Sequence, residues 1–355
     1  MGSVRQIAKR LGVSPATVSR ALNNHPHVDS ATRRKVLQDA NKSGYVPGGG
    51  RQVSSVVGLV YPADIVLADY GAFESALLSG ILRGLNEHRF DVKIVSLQRD
   101  KTPDESYSEF LYRKGIRGAI LRSFADTRHV CRELAAEGFP SVVVADRFED
   151  SEVNFVCCDS RDDSRRAVQH LMDLGHRRIA LGVHAVHDTD HTDRRLGYED
   201  AMREAGIPLD PALMLEIVAS PAGGASFIRR LLSAPRPPTA VFFTDPLATI
   251  GALRCCLEMG VSIPDDLSIV GFDDSDIRQH TFPAFTAVVQ DAQMLGLEAS
   301  RWLTRKLVQP ANKELKSIRL VRSTFLEINQ STGLPTAKPF RILPDGTRTD
   351  VRAEA

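Results

Sequence analysis

The sequence predicts a small all-α head joined to an α/β body of two doubly wound lobes. Three observations predict it. The first 50 residues are basic and place their apolar residues at helical spacing. From residue 55 onward, short β-branched runs alternate with longer amphipathic stretches, the pattern of parallel strands linked by crossover helices. The length of 355 residues also exceeds what one hydrophobic core organises, so more than one domain is expected.

In the head, Val4, Ile7, Ala8 and Leu11 fall at i, i+3, i+4 and i+7 of one helix face. Gly12 follows, where a tight turn needs positive φ, and Val13 anchors that turn. Ser14 suits an N-cap and Pro15 the first helical position; Val18, Ala21 and Leu22 then continue an inner face. Ser30 is expected to cap a third helix, with Val36, Leu37 and Ala40 inside. Two short helices meeting at a glycine and closed by a third form a helix-turn-helix unit, whose second helix enters the major groove of DNA. On that helix Thr17, Ser19 and Arg20 face outward. Arg20 has the fork for a bidentate guanine contact, while Thr17 and Ser19 suit phosphates or base edges. Asn23, His27, Thr32 and Arg33 are placed to hold the DNA backbone. Residues 1–50 hold eight Lys or Arg against two Asp, a net charge of +6 that leaves −5 for the remainder of a chain summing to +1. A basic head on a mildly acidic body suits a DNA reader with a second task attached.

The stretch IAKRLGVSPATVSRALNNHPHVDSATRRKVLQDANKSGYVP resembles the DNA-binding signature of the lactose/galactose repressor (LacI/GalR) family, most specifically in GVS-x-x-TVSRALN. The resemblance implies a transcriptional regulator, a repressor in most members, that binds a pseudo-palindromic operator in double-stranded DNA as a homodimer. It also implies that the residues after the turn serine Ser14, here Pro15 and Ala16, read bases. Neither has a hydrogen-bonding side chain, so their readout is limited to apolar contact such as a thymine methyl. In the family a hinge helix follows the GY-x-P turn and wedges a leucine into the minor groove. Here residues 48–55 read GGGRQVSS. Each glycine costs about 1 kcal/mol in a helix relative to alanine, and Val53 is the only apolar wedge. Two readings stand: a weakened hinge helix that kinks the operator less, and a plain flexible linker.

In the body, residues 56–61, 92–96, 119–121, 142–145, 179–183, 240–243 and 267–272 read as buried parallel strands. Residues 74–88, 161–174, 193–205 and 247–259 are among the helical stretches between them. Ligands in such folds bind at the carboxyl ends of strands, here expected in a cleft between the lobes. The segments VADR (144–147), HLMDLGHRRIAL (170–181), RRLGYEDAM (194–202) and PDDLSIVGFDD (264–274) resemble the family's effector domain, which is similar to periplasmic sugar-binding proteins. The expected organisation is a headpiece over 1–47, a Gly-rich hinge or linker over 48–55, a two-lobed ligand-binding and dimerisation domain over 56–333 and a disordered tail over 334–355. That tail is Pro-rich and lacks the leucine heptads of a tetramerisation helix, which favours a dimer. Residues around 77–85 and 280–285 are expected to contribute to its interface.

The resemblance assigns effector contact to Phe73, Glu74, Arg147, Arg194, Asp245 (in place of the family's usual asparagine) and Asp273. Arginine forks and carboxylates suit vicinal hydroxyls or a small anion, and Phe73 could stack on a sugar face. A carbohydrate or its derivative is favoured over a nucleobase, although Ala219 stands where an aromatic is expected. The alternative for Arg147 and Asp273 is a salt bridge across the cleft. His184, His187, Asp188, Asp190, His191 and Asp193 crowd one stretch; they suit a divalent metal or simply a polar loop, and the polar loop is preferred. No cofactor or metal is expected.

Five cysteines, four of them in the adjacent pairs Cys157-Cys158 and Cys255-Cys256, lack zinc-ligand spacing and read as small buried hydrophobes. The composition is 43% hydrophobic and 25% charged, with a mean hydropathy of −0.16. No apolar run approaches membrane-spanning length and residues 1–10 hold no signal-peptide core, so a cytoplasmic protein is expected, without membrane contact. The best enzyme reading pairs Asp245 with Asp273 as acid and base. No Ser-His-Asp motif, phosphate loop or dinucleotide fingerprint supports it. A free-standing sugar-binding protein would need export.

Overall fold

The computed structural model describes residues 3–22, 27–43, 55–62, 71–185, 188–310, 315–343 and 345–351. In chain order the elements begin with α1 (Val4–Leu11), α2 (Pro15–Leu22), α3 (Ser30–Lys42), β1 (Val56–Tyr61), α4 (Ala72–Asn86) and β2 (Asp91–Ser96). Next come α5 (Leu97–Asp100), α6 (Tyr107–Arg113), β3 (Gly118–Arg122), α7 (Arg128–Ala136), β4 (Ser141–Val144), β5 (Phe155–Asp159), α8 (Arg161–Asp173) and β6 (Ile179–His184). Then follow α9 (Thr189–Glu204), β7 (Met214–Ile217), α10 (Pro221–Leu232), β8 (Ala240–Phe243), α11 (Pro246–Glu258) and β9 (Ser268–Asp273). The chain closes with β10 (Thr286–Val289), α12 (Ala292–Val308), β11 (Arg319–Ser323), β12 (Phe325–Glu327), β13 (Phe340–Ile342) and β14 (Arg348–Asp350).

The headpiece has its own core, in which Ile7, Ala8, Val18, Ala21, Val28, Val36 and Ala40 meet, flanked by Val4, Leu11, Val13 and Leu22. α1 starts in a capping box: the Gln6 amide donates to Ser3 Oγ at 3.3 Å and the Ser3 amide donates to Gln6 Oε1 at 3.1 Å. It ends at Gly12, whose φ of +67° is the left-handed conformation that a side chain would strain. Asp29, rather than the expected Ser30, caps α3. Its carboxylate accepts the Thr32 amide at 2.9 Å, and a charged acceptor one residue earlier outcompetes a hydroxyl at a helix N-terminus. Arg10 ties α1 to α3 through a forked pair with Asp39.

The body divides into two compact units, each around one sheet. The first sheet has the order β11-β5-β4-β3-β1-β2 and the second β12-β10-β9-β8-β6-β7. The pairs from β1 to β5 run parallel, as do those from β6 to β10, while β12 closes the second sheet antiparallel to β10. In both sheets the first strand lies between the second and the third, so strand order reverses there and leaves a switch point at the carboxyl ends.

In the second unit alternate strand residues go to opposite faces. Ile179, Leu181, Phe242 and Val270 pack on Leu171 of α8 and Tyr198 of α9. Ala180, Val241, Phe243 and Ile269 pack on Ile228 of α10 and Ala252 of α11. α10 and α11 approach closely because Gly224 faces the Ala248 carbonyl and Gly251 the Pro221 carbonyl, with no room for a Cβ at either.

Burial bears on two expectations. Leu77, Ile81 and Leu85 are wholly buried, as is Phe285. The apolar stripe of α4 is therefore its core face, and the exposed apolar residues of those two segments are Leu82 at 43% and Phe282 at 94%. The tail, expected to lack structure, forms the β13–β14 hairpin. Phe340 and Ile342 join the core beside α10 and α11, and Arg348 forks onto Asp266 while lying 3.7 Å from the Phe340 ring centroid. Two buried apolar side chains outweigh the polar composition around them. Phe340→Ala should destabilise the protein by about 3 kcal/mol, read as a lower midpoint in chemical denaturation.

All five cysteines are buried and none forms a disulfide among the described residues, and burial pushes the Cys131, Cys158 and Cys256 thiols up to about 12. They are inert hydrophobes, as their sequence setting suggested. Among the described residues no helix is long and apolar enough to cross a membrane.

Candidate functional site

The headpiece presents one polar face. Val18 and Ala21 turn into the core, which leaves Ser14, Pro15, Ala16, Ser19 and Arg20 exposed. Ser14 acts as the cap of α2: its Oγ accepts the Thr17 amide at 3.0 Å and lies 2.8 Å from Thr17 Oγ1. The two hydroxyls therefore engage each other, and Thr17 is half-buried. His27 is exposed. Arg33 turns back, donating from Nη2 to the Val28 carbonyl at 3.1 Å, and its neighbours Arg34 and Lys35 are exposed. Sequence reasoning did not single out those two cations; the helical period, which puts Val36 and Leu37 inside, could have found them. Asn23, Val53, His187 and the connector over 48–54 lie outside the described residues.

In the second unit the switch point falls between β6 and β8, and the polar residues gather there. The His184 amide donates to Thr244 Oγ1 at 3.0 Å, and Arg194 Nη1 donates to the Thr244 carbonyl at 2.7 Å. Arg194 is 4% exposed and stacks 3.6 Å from the Phe272 ring centroid. Its Nε meets no acceptor among the described residues. Asp245 caps α11, accepting the Ala248 amide at 2.8 Å, and burial raises its pKa.

Of the stretch with many histidines, His184 ends β6 and residues 188–193 start a helix rather than lying in a loop. Asp188 is the N-cap of α9, accepting the His191 amide at 2.8 Å and bonding His191 Nδ1 at 2.7 Å. Asp190, His191 and Asp193 accordingly lie on its first turns. The His184 and His191 rings are 4.9 Å apart, and burial holds His184 down to about 4, neutral at physiological pH. Among the described residues no three His, Cys, Asp or Glu side chains are grouped to hold a metal ion.

The two aspartates after β9 have separate roles. Asp273 is wholly buried. Its Oδ1 accepts the Ser275 amide at 3.1 Å, and its Oδ2 accepts the Arg278 amide at 3.1 Å and Arg278 Nη1 at 2.9 Å. Arg278 also pairs with Asp276 and Glu327. Asp273 is therefore a structural anchor: its ion pair is with Arg278 in the same unit, and it does not complete an acid/base pair with Asp245. The open carboxylate is Asp274, which sequence reasoning passed over. Gln290 Nε2 donates to its Oδ1, while Gln290 Oε1 meets no donor among the described residues. Burial, aided by the charges of Asp245 and Asp273, pushes Asp274 up to about 7.

Between pH 4 and 7 folded Asp274 keeps a proton that the unfolded chain has released. Its contribution to stability thus falls as pH rises through that window. Asp274→Asn should raise Tm by about 5 °C at pH 8 and leave it unchanged near pH 4, measured by a thermal melt at both values.

In the first unit Arg147 follows β4, in a loop fixed by wholly buried Asp146, which accepts the Arg147 amide at 2.9 Å. Arg128 bonds both the Asp146 carboxylate and the Arg147 carbonyl. Phe73 and Glu74 sit in the first turn of α4, which is grouped with the second unit, and both are half-buried.

Comparison with known proteins gives consistent matches. Residues 3–48 match the model described as bacterial regulatory proteins, lacI family, and residues 168–332 match a periplasmic binding protein-like domain. The HTH-type transcriptional repressor CytR of Escherichia coli is 31% identical over 303 residues, covering 84% of this chain and 87% of that protein. Catabolite control protein A of Priestia megaterium is 28% identical over 338 residues, covering 93% and 99%. Among solved structures, a transcriptional regulator CelR–cellobiose complex superposes with a TM-score of 0.66 at 27% identity, covering 93% of this chain and all of that one. A LacI family regulator from Enterococcus faecium with bound ribose gives 0.66 at 26% identity, covering 78% and 98%.

Proposed function

Since the chain belongs to the lacI family of bacterial regulatory proteins, we propose that it is a repressor that grips a pseudo-palindromic operator as a homodimer under the control of a carbohydrate effector. The observation that carries the DNA half is the exposed face of α2. Arg20 and Ser19 stand on it beside the apolar pair Pro15 and Ala16, over a core that holds the helix rigid. Arg20 reads guanine and the apolar pair meets thymine methyls. Ser14 positions Thr17, and His27, Thr32, Arg33, Arg34 and Lys35 serve the phosphates. Two copies are required because one such helix reads only half a site, and an apolar ring 94% exposed at Phe282 suits a surface covered by a second copy.

The effector half is supported by Arg194, Asp245 and Asp274 at the switch point, where folds of this order take their ligands. Arg147, Phe73 and Glu74 are retained as further contacts. Donor and acceptor groups in this mixture suit hydroxyls, and two structures similar to this chain hold cellobiose and ribose. No reaction is assigned to the site, and the protein acts in the cytoplasm beside its operator. The test selects operators from a random duplex library with the full chain, then screens sugars and nucleobases by thermal shift and by release from, or retention on, the selected operator. Equal binding of selected and random duplex would remove the regulator reading. Stabilisation by nucleobases alone would remove the carbohydrate.

A further inference from the structure

The first turn of α2 offers a base almost nothing polar. Recognition helices of this motif bring the residues at their N-terminal end to base edges, and here that end is Pro15 and Ala16, both exposed. Proline has no backbone N–H, and neither side chain can donate or accept a hydrogen bond. The turn also holds no carboxylate to accept from cytosine N4. The hydroxyls on either side are engaged with each other: Ser14 Oγ accepts the Thr17 amide at 3.0 Å and lies 2.8 Å from Thr17 Oγ1. The Ser14 carbonyl accepts the amide of wholly buried Val18 at 3.1 Å, which fixes the helix with its apolar pair outward.

An apolar surface responds to little of what separates one base pair from another. In the major groove thymine and cytosine differ at two positions. At C4 thymine carries an oxygen acceptor and cytosine an amino donor; at C5 thymine alone carries a methyl group. Pro15 and Ala16 have no partner for either C4 group, so the methyl is the feature they distinguish. Cytosine methylated at C5 presents that same methyl in the same place.

Resting on the operator reading above, we infer that the start of α2 reads a C5-methyl group rather than a base, so that 5-methylcytosine substitutes for thymine at the step facing Pro15 and Ala16. A duplex with cytosine at that step is then a poor operator until the cytosine is methylated. The protein thereby answers to DNA methylation as well as to its effector. Burying one methyl group is worth about fourfold in affinity, and about fifteenfold when both half-sites change together.

Fluorescence anisotropy with the full chain and its selected operator tests this through two comparisons, each differing by one methyl group. Each thymidine of the half-site is replaced in turn by deoxyuridine. The step with the largest loss is then rebuilt with deoxycytidine or 5-methyldeoxycytidine opposite deoxyguanosine. Thymidine should bind about fourfold more tightly than deoxyuridine, and 5-methyldeoxycytidine should exceed deoxycytidine by the same factor. The double variant Pro15→Ser, Ala16→Ser replaces the apolar pair with hydroxyls. With an unchanged circular dichroism spectrum, it should bring both ratios below about twofold. The inference is overturned if no thymidine responds to loss of its methyl, if 5-methyldeoxycytidine gains nothing over deoxycytidine, or if the double variant keeps both ratios. Those outcomes leave the regulator reading standing, whereas equal binding of selected and random duplex removes both.

Discussion

Alanine at Arg20 is expected to lower the affinity of the full chain for its selected operator by about 5- to 150-fold, the range that one bidentate base contact is worth, and to leave its affinity for random duplex nearly unchanged. The side chain is exposed on α2 and contributes nothing to the headpiece core, so the loss cannot come from unfolding. Lys35 is the control. It is exposed one turn into α3, and as a phosphate neutraliser its removal should weaken selected and random duplex alike and flatten the salt dependence by about one unit of slope. Fluorescence anisotropy across a salt series separates the two behaviours. Equal losses on both duplexes for Arg20→Ala would place Arg20 among the phosphate contacts and return the search for base readout to other residues.

The second large effect is expected at Asp273. Its carboxylate and the Arg278 guanidinium are both buried, and truncating one member of such a pair leaves the other uncompensated, at a cost of about 3–5 kcal/mol. Asp273→Ala and Arg278→Ala should each lower the denaturation midpoint by a comparable amount, and the double variant should lose less than the sum of the two. Asp274→Asn, one residue away, should behave oppositely: more stable at pH 8 and poorer in effector binding. A functional site that holds a carboxylate against its solvation preference gives up stability to do so. An Asp273→Ala variant of full stability that has lost effector response would instead return this residue to the ligand.

The contrast between these neighbours shows where the sequence is legible. Strand positions such as 240–243 and helix positions such as 161–173 were readable because apolar period and β-branching are local properties. The switch point was readable from strand–helix alternation, whereas Arg194 and Asp245 were named from the family resemblance. The division of labour between Asp273 and Asp274 was not. It depends on Arg278 reaching back from the following turn and on Glu327 arriving from β12, contacts between residues distant in the chain. β5 was missed because Cys157 and Cys158 were read as buried apolar residues without their strand period. The hairpin at the end of the chain was missed because Phe340 and Ile342 are isolated apolar residues among polar ones, and only a waiting groove beside α10 gives them meaning. The start of α9 was misread because His and Asp favour loops on average, whereas Asp188 needs only one amide to begin a helix.

Thr324 alone separates β11, the outer strand of the first sheet, from β12, the outer strand of the second. During synthesis, β5 and β10 must therefore present bare edges until this short stretch has left the ribosome, and bare parallel edges invite pairing with other nascent chains. Messages cut short before this stretch should accordingly yield chains whose bodies aggregate or stay bound to chaperones.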